Sequence, residues 1–359
     1  MKRAVLCVAD PQNYIDQLKD YSIMIINPGV AESRQKYLLE RADWSLLITD
    51  QEQHVRKGQD HGDERLFWYT SGTTGDSKFC SFTQSQLDLK AHEICRTYEI
   101  TANDRYASIM PLWHAHGQGM YWAARSAGCE MSFVSIREIK HLVDHAPTFI
   151  TAIPDVLRVV ANFDFDHLRF VRSASAPLPT DLYQHLQQRY GVPVIEAFGM
   201  TEALSHCFTN PLQGEQRVGT IGLPDGIEAD IVDGQLYIRG STVCNDGWYN
   251  TGDLADRDSA GYYRILGRAR DQINIRGIKL NPVSLEQQLR MAIPEISDCV
   301  IFGSDTVKCL YVGDVDPQVI RKFLSGLGHY CWPTVLEQVD SVPISPSGKI
   351  SRTWLNERF

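Results

Sequence analysis

The sequence has no C-x-x-C pair, no apolar run long enough to cross a bilayer, no block of like charge and no low-complexity stretch. Each absence removes a class. Nine cysteines stand singly at positions 7, 80, 95, 129, 207, 244, 299, 309 and 331. An odd, scattered set excludes a disulfide framework or a paired-cysteine zinc site and predicts reduced, mostly buried thiols. Nothing approaches the roughly 18 apolar residues of a membrane span. After Met1-Lys2-Arg3 the apolar run stops at Asp10, short of the roughly 7–15 residues of a signal-peptide core. The expectation is a soluble, cytoplasmic protein. With 44 acidic against 35 basic side chains, a formal charge of -9 is spread along the chain. No basic patch marks a nucleic-acid partner.

What is present is ample apolar material: 359 residues, 43% hydrophobic, with 26 glycines. That suffices for two domains, or one large domain with a satellite. Over the first fifty residues the apolar runs Val5–Val8, Ile23–Ile26 and Leu46–Ile48 alternate with polar segments of helical spacing. This is the β-α-β-α-β rhythm of an α/β layer. The tetrad T-Q-S-Q from Thr83 reads as a capping box opening a helix. Thr180–Tyr190 reads as a second helix stopped by Gly191. Between Gly219 and Tyr263 alternating strands broken by Gly and Asp predict a small β-rich subdomain. A further capping box, Ser284 to Gln287, is expected to open a helix. The expected fold class is α/β: a large N-terminal domain of layered sheets and helices over 1–266, a hinge at 267–271, and a small mobile α+β domain over 272–359.

The strongest local signal is Trp68 to Lys78, WYTSGTTGDSK. Glycines let backbone N–H groups approach an anion, hydroxyls donate further bonds, and a lysine adds charge, which together describe a phosphate cradle. It is not a Walker A loop, because Gly72 and Gly75 are too close and Lys78 is followed by Phe79. The pair His114 and His116 invites a metal reading, but no Cys, Asp or Glu stands near it in the sequence.

The order of residues in YTSGTTGDSK resembles the signature loop of the adenylate-forming superfamily: acyl-CoA synthetases, peptide-synthetase adenylation domains and luciferases. Further segments are similar to that family's motifs and run in its order. They are Pro111–His114 (PLWH), Ser173–Leu178 (SASAPL), Phe198–Glu202 (FGMTE), Gly219–Pro224, Trp248–Asp253 (WYNTGD), GRARDQINIRGIKLNPVSLE and Pro343–Arg352 (PISPSGKISR). The resemblance covers nearly the whole chain.

It implies an ATP- and Mg²⁺-dependent ligase that joins a carboxylic acid to AMP and passes the acyl group to a phosphopantetheine thiol, either of CoA or of an acyl carrier protein. Thr70, Ser71, Gly72, Thr73, Thr74, Gly75 and Lys78 would hold phosphates. Glu202, beside Thr201, would bind Mg²⁺. Phe198 would lie on adenine, opposite the backbone near Ser175 and Ala176, with Gly199 adjoining. Asp253 would hold the ribose hydroxyls, Arg268 the ribose or α-phosphate, and Lys349 the incoming carboxylate and α-phosphate. Arg270 would be the hinge residue between two half-reactions. His114 would gate the acid, with Trp113, Trp122, Ile153, Gly199 and Met200 as pocket walls. WHAHGQGMYW lacks the Asp that amino-acid-activating members use, so the expected acid has no α-amino group. An adenylate-only or amide-forming ligase and a silent nucleotide-binding scaffold remain alternatives. Relative to the family, the phosphate loop comes early, Ser77 and Phe79 replace Pro and Gly, and Ala174 and Ser175 replace two glycines. An enzyme completed by a partner chain or a second copy is also consistent with the short start.

Overall fold

A computed structural model describes residues 1–70, 78–343 and 350–359. The apolar runs of the opening segment become strands because each is short, β-branched and bounded by polar residues. Lys2–Cys7 (β1), Tyr21–Ile25 (β2), Leu46–Thr49 (β3), Gln53–Val55 (β4), Glu64–Thr70 (β5) and Lys78–Thr83 (β6) form one sheet in the order β4-β3-β1-β2-β5-β6. Its centre is parallel, and β4 and β6 run antiparallel at the edges. Strands β1, β2 and β5 bury Ala4, Leu6, Ile23, Ile25, Leu66 and Trp68 in one core. Beneath it the Arg3 guanidinium makes a two-pronged bond to the buried Glu64 carboxylate, 2.8 and 3.0 Å.

Helix Gln84–Tyr98 follows β6 directly. Thr83 caps it, accepting from the Gln86 amide while the Gln86 side chain returns to the Thr83 amide, the expected capping box. It packs along helix Ala115–Ala127. A second, mostly parallel sheet contains Arg105–Ser108 (β7), Glu130–Phe133 (β8), Phe149–Ala152 (β9), Phe170–Ser173 (β10), Val194–Phe198 (β11), Phe208–Thr209 (β12) and Leu223–Pro224 (β13), in the order β13-β12-β11-β10-β9-β7-β8. The expected helix Thr180–Tyr190 is present and ends on Gly191 at φ 65°. Glu228–Val232 (β14), Gln235–Arg239 (β15), Tyr249–Arg257 (β16) and Tyr263–Arg268 (β17) then form a four-stranded sheet in chain order.

Packing divides the chain into two units. The first comprises 1–230, 238–249 and 257–264; the second comprises 231–237, 250–256 and 265–359. In the second, Ile273–Ile275 (β18) and Ile278–Leu280 (β19) make a hairpin, and Asp298–Phe302 (β20), Val307–Val312 (β21) and Pro333–Gln338 (β22) make a three-stranded sheet. Helices Pro282–Ala292 and Pro317–Leu327 supply Leu285, Leu289, Ile320 and Leu324 to its core. Here the sequence expectation needs correction. Ser284 does not open the first of these helices; Asn281 caps it, its carboxamide accepting from the Val283 and Ser284 amides, with Pro282 in the first turn. No helix among the described residues is long and apolar enough to cross a membrane.

Candidate functional site

The carboxyl ends of parallel strands are where α/β sheets hold ligands, and the singled-out residues of the first unit gather at such ends. Thr70 closes β5 and pairs in register with Lys78, which opens β6. Ser71, Gly72, Thr73, Thr74 and Gly75 lie outside the described residues. The exposed Lys78 donates to the Tyr249 hydroxyl at 3.2 Å, and its ammonium lies 5.2 Å from the centre of that ring. The same hydroxyl lies 3.4 Å from Glu202 Oε1, and donates to it. Burial, then the neighbouring Glu202 charge, pushes the Tyr249 phenol up, so it stays a hydroxyl that links cation and carboxylate. Tyr249 is a site residue that sequence reasoning missed, although it stands inside the WYNTGD block.

Glu202 follows β11 in the turn Thr201–Ala203. Met200 leads into the turn, and its carbonyl accepts from the Ala203 and Ser205 amides. Gly199 is required by space: a Cβ there would lie 1.3 Å from the Ser205 carbonyl oxygen. Phe198, half-buried, meets Phe208 edge-on at 6.0 Å. Glu202 is bonded at its backbone too, its carbonyl accepting from the Cys244 amide at 2.8 Å.

After β10 comes the turn through Ser175 and Ala176, both exposed. Ser175 adopts φ 73°, a left-handed conformation a glycine would take at lower cost. Its hydroxyl is held by His116 Nδ1 at 3.2 Å. Arg172 can only donate, so His116 Nε2, 2.9 Å from Arg172 Nη1, is the accepting nitrogen and Nδ1 carries the proton. Burial, then the Arg172 charge, drives the His116 pKa well down, which keeps the ring neutral in this role. Arg172 also donates to Tyr98 Oη at 2.9 Å and to Thr151 Oγ1 at 3.2 Å, and its Nη2 lies 3.5 Å from His206 Nδ1. Burial lowers His206 to about 4, and its Nε2–H donates to Asp225 at 2.7 Å. This chain from Asp225 to Ser175 joins segments more than a hundred residues apart, and no sequence motif announced it.

The histidine pair is divided. His114 is the exposed cap of helix Ala115–Ala127, and His116 is buried behind it. Among the described residues no three His, Cys, Asp or Glu side chains converge on one metal position. The expected pocket walls pack against different cores. Trp113 and Trp122 lie on the core of the first sheet, Trp122 lining a crevice with Trp68, Leu87 and Leu204. Ile153, the cap of helix Pro154–Val160, packs on the core behind the second sheet.

In the second unit Asp253 is buried in β16. Arg268, at the end of β17, grips it with Nε at 3.1 Å and Nη1 at 3.3 Å. Two residues singled out for the ribose thus contact each other. Arg270 is exposed in the short turn Ala269–Asp271 and pairs with Asp271 at 3.6 Å. Lys349 lies outside the described residues. Arg352, three residues on, binds Glu286 at 2.6 Å and Asp271 at 3.5 Å.

The chain is 27% identical over 375 residues to the oxalate–CoA ligase of Arabidopsis thaliana, covering 89% of this chain and 73% of that protein. It is 28% identical over 337 residues to the sulfoacetate–CoA ligase of Cupriavidus necator, covering 81% and 66%. The alignments therefore span about two thirds to three quarters of those relatives. The fold matches the o-succinylbenzoate CoA synthetase of Bacillus subtilis, solved with ATP and a magnesium ion, with a TM-score of 0.84 at 20% identity over 99% of this chain and 89% of that one. The model of the AMP-binding enzyme family matches residues 25–245, more than half of the 359 residues, and the chain is a member of that family.

Proposed function

We propose that the chain activates a carboxylic acid with ATP, forming an acyl-adenylate and pyrophosphate, and then passes the acyl group to the thiol of CoA. A carrier protein presents the same phosphopantetheine arm and is the alternative acceptor. The observation that carries this reading is the Lys78–Tyr249–Glu202 constellation: a cation beside the phosphate-loop segment and a carboxylate at a strand end, joined through one hydroxyl. Lys78, with the loop Thr70 to Gly75, supplies charge and amides to phosphate oxygens. A single carboxylate suits Mg²⁺, which is held by one or two carboxylates with phosphate oxygens and waters rather than by a protein cage. Glu202, half-exposed in its turn, fits that donor set. The metal when bound neutralises phosphate charge. Phe198 and the Ser175–Ala176 turn offer a ring and backbone to adenine, and Asp253 with Arg268 offers acceptors and donors to ribose. Lys349 serves the reacting carboxylate and α-phosphate, and its charge is worth most where negative charge develops. The split into 1–266, hinge 267–271 and 272–359, with Arg270 absorbing the rotation, is part of the same reading, as is completion by a partner chain or a second copy. Exchange of labelled pyrophosphate into ATP that depends on an acid tests it.

A specific observation supports a narrower class of acid. Arg172 is 1% exposed, and among the described residues no carboxylate pairs with it; it bonds to the neutral side chains of Tyr98, His116, Thr151 and His206. A buried guanidinium is costly without an anion. Relatives named for oxalate, sulfoacetate and malonate act on acids with two anionic groups. We extend this to a small acid lacking an α-amino group and bearing a second anion, sensed through Arg172, His116 and Ser175. Arg172→Met is expected to lower kcat/KM for malonate or oxalate by roughly tenfold or more relative to acetate or propionate, about the worth of one charged contact. Equal losses for both groups of acids would assign Arg172 to folding alone.

A further inference from the structure

Cys80 and Cys244 are 164 positions apart in sequence, and their sulfurs lie 3.3 Å from each other. Both belong to the first unit. Cys80 is buried in β6, fixed by pairing with Trp68. It stands two residues from Lys78, so both side chains leave the same face of the strand. Cys244 is half-buried, in the segment joining β15 to β16. That segment and the first residue of β16 both hold Glu202: the Cys244 amide donates to its carbonyl, and the Tyr249 hydroxyl donates to its carboxylate. Cys95 and Cys129, by contrast, give their hydrogen bonds to backbone carbonyls.

We propose that Cys80 and Cys244 form a site of reversible oxidation by small-molecule disulfides, and that closing the bond displaces the segment that positions Glu202 and Tyr249. A disulfide is about 2.05 Å long, so the sulfurs must approach by roughly 1.3 Å from their present separation. Cys80 is held in a paired strand, so the Cys244 segment supplies the movement. The more accessible Cys244 reacts first. Its sulfur attacks one sulfur of the small disulfide and releases one small thiol. Cys80 then attacks the mixed disulfide at the Cys244 sulfur and releases the second. Two protein thiols are oxidised to one disulfide, one small disulfide is reduced to two thiols, and the two protein-thiol protons end on the released thiols.

Formation of the bond is independent of the functional reading; its effect on turnover rests on the roles given to Lys78 and Glu202. The test is incubation of the fully reduced protein with oxidised glutathione, followed by intact mass, peptide mapping and acid-dependent pyrophosphate release. The expected product is lighter by about 2 Da, the mass of two hydrogens, with peptides containing Cys80 and Cys244 joined. Pyrophosphate release should fall by roughly tenfold or more, as ångström-scale displacement of positioning groups does, and recover with dithiothreitol. Cys244→Ser should keep its activity under oxidant, and Cys80→Ala should stop at the glutathione adduct on Cys244. A stable adduct without an internal link in the wild type, or no reaction at Cys244, overturns the site. A disulfide with unchanged pyrophosphate release overturns its coupling to Glu202. If the reduced protein releases no pyrophosphate with any acid, the functional reading fails while the mass result still decides the thiol pair.

Discussion

Burial pushes the Glu196 carboxyl up to about 7, while the Leu178 amide donates to its Oε1 at 3.0 Å and so anchors the turn that carries Ser175. The sign of its effect on stability follows from linkage. The folded pKa lies above the ordinary value of 4.5, so between those limits the folded chain keeps a proton that the unfolded chain has lost. Stability therefore falls as pH rises through that window and levels off above it. The full effect is on the order of 3 kcal/mol. Glu196→Gln retains an oxygen acceptor for Leu178 and removes the titration. Denaturant unfolding at pH 5 and pH 8 should show the wild type losing more stability than the variant; equal slopes would mean Glu196 does not titrate in that range. None of this is visible in the string VIEAF. The burial of a single charged residue in a strand is decided by what covers it.

At the scale of elements, legibility depended on whether the signal was local. The Thr83 capping box and the Gly191 stop could be read because each is closed within one helical turn. The box expected at Ser284 failed for an instructive reason: S-x-x-Q spacing also fits inside a helix, and Asn281 followed by Pro282 supplied a better start three residues earlier. The networks of the site needed tertiary structure. Tyr249, His206 and Arg172 are joined to their partners across long stretches of chain. The motif segments gave the strand ends but not what holds them. The turn Met200–Ser205 shows how tightly the Glu202 element is built. A methyl at position 199 would lie 1.3 Å from the Ser205 carbonyl oxygen, which no side-chain adjustment relieves. Gly199→Ala should destabilise the fold by about 1–3 kcal/mol and, because it displaces Glu202, lower kcat/KM for adenylation by roughly a hundredfold. Thermal unfolding and pyrophosphate release measure the two; wild-type values in both would show that the turn yields freely.

For the whole molecule, the proposed function comprises two half-reactions, and Arg270 is the residue proposed to turn between them. Arg270 sits in a short turn with its side chain exposed, where proline, fixed near φ of about -65°, can be built but cannot move. Arg270→Pro is expected to leave acid-dependent pyrophosphate release within about twofold of wild type while lowering CoA thioester formation by roughly a hundredfold, as misplacement of a reacting group does. A folded variant making thioester at the wild-type rate would remove Arg270 from that role.

The claim beneath all of these is that this chain makes an acyl-adenylate reversibly before any thiol takes part. The most direct measurement is exchange of radiolabelled pyrophosphate into ATP by the purified protein with Mg²⁺, a panel of acids and no CoA. The account predicts label in ATP only when an acid is present, strongest with small acids that carry a second anion and lack an α-amino group, together with thioester once CoA is added. Absence of exchange with every acid in a folded protein would contradict it, and exchange driven best by an α-amino acid would contradict its account of the substrate.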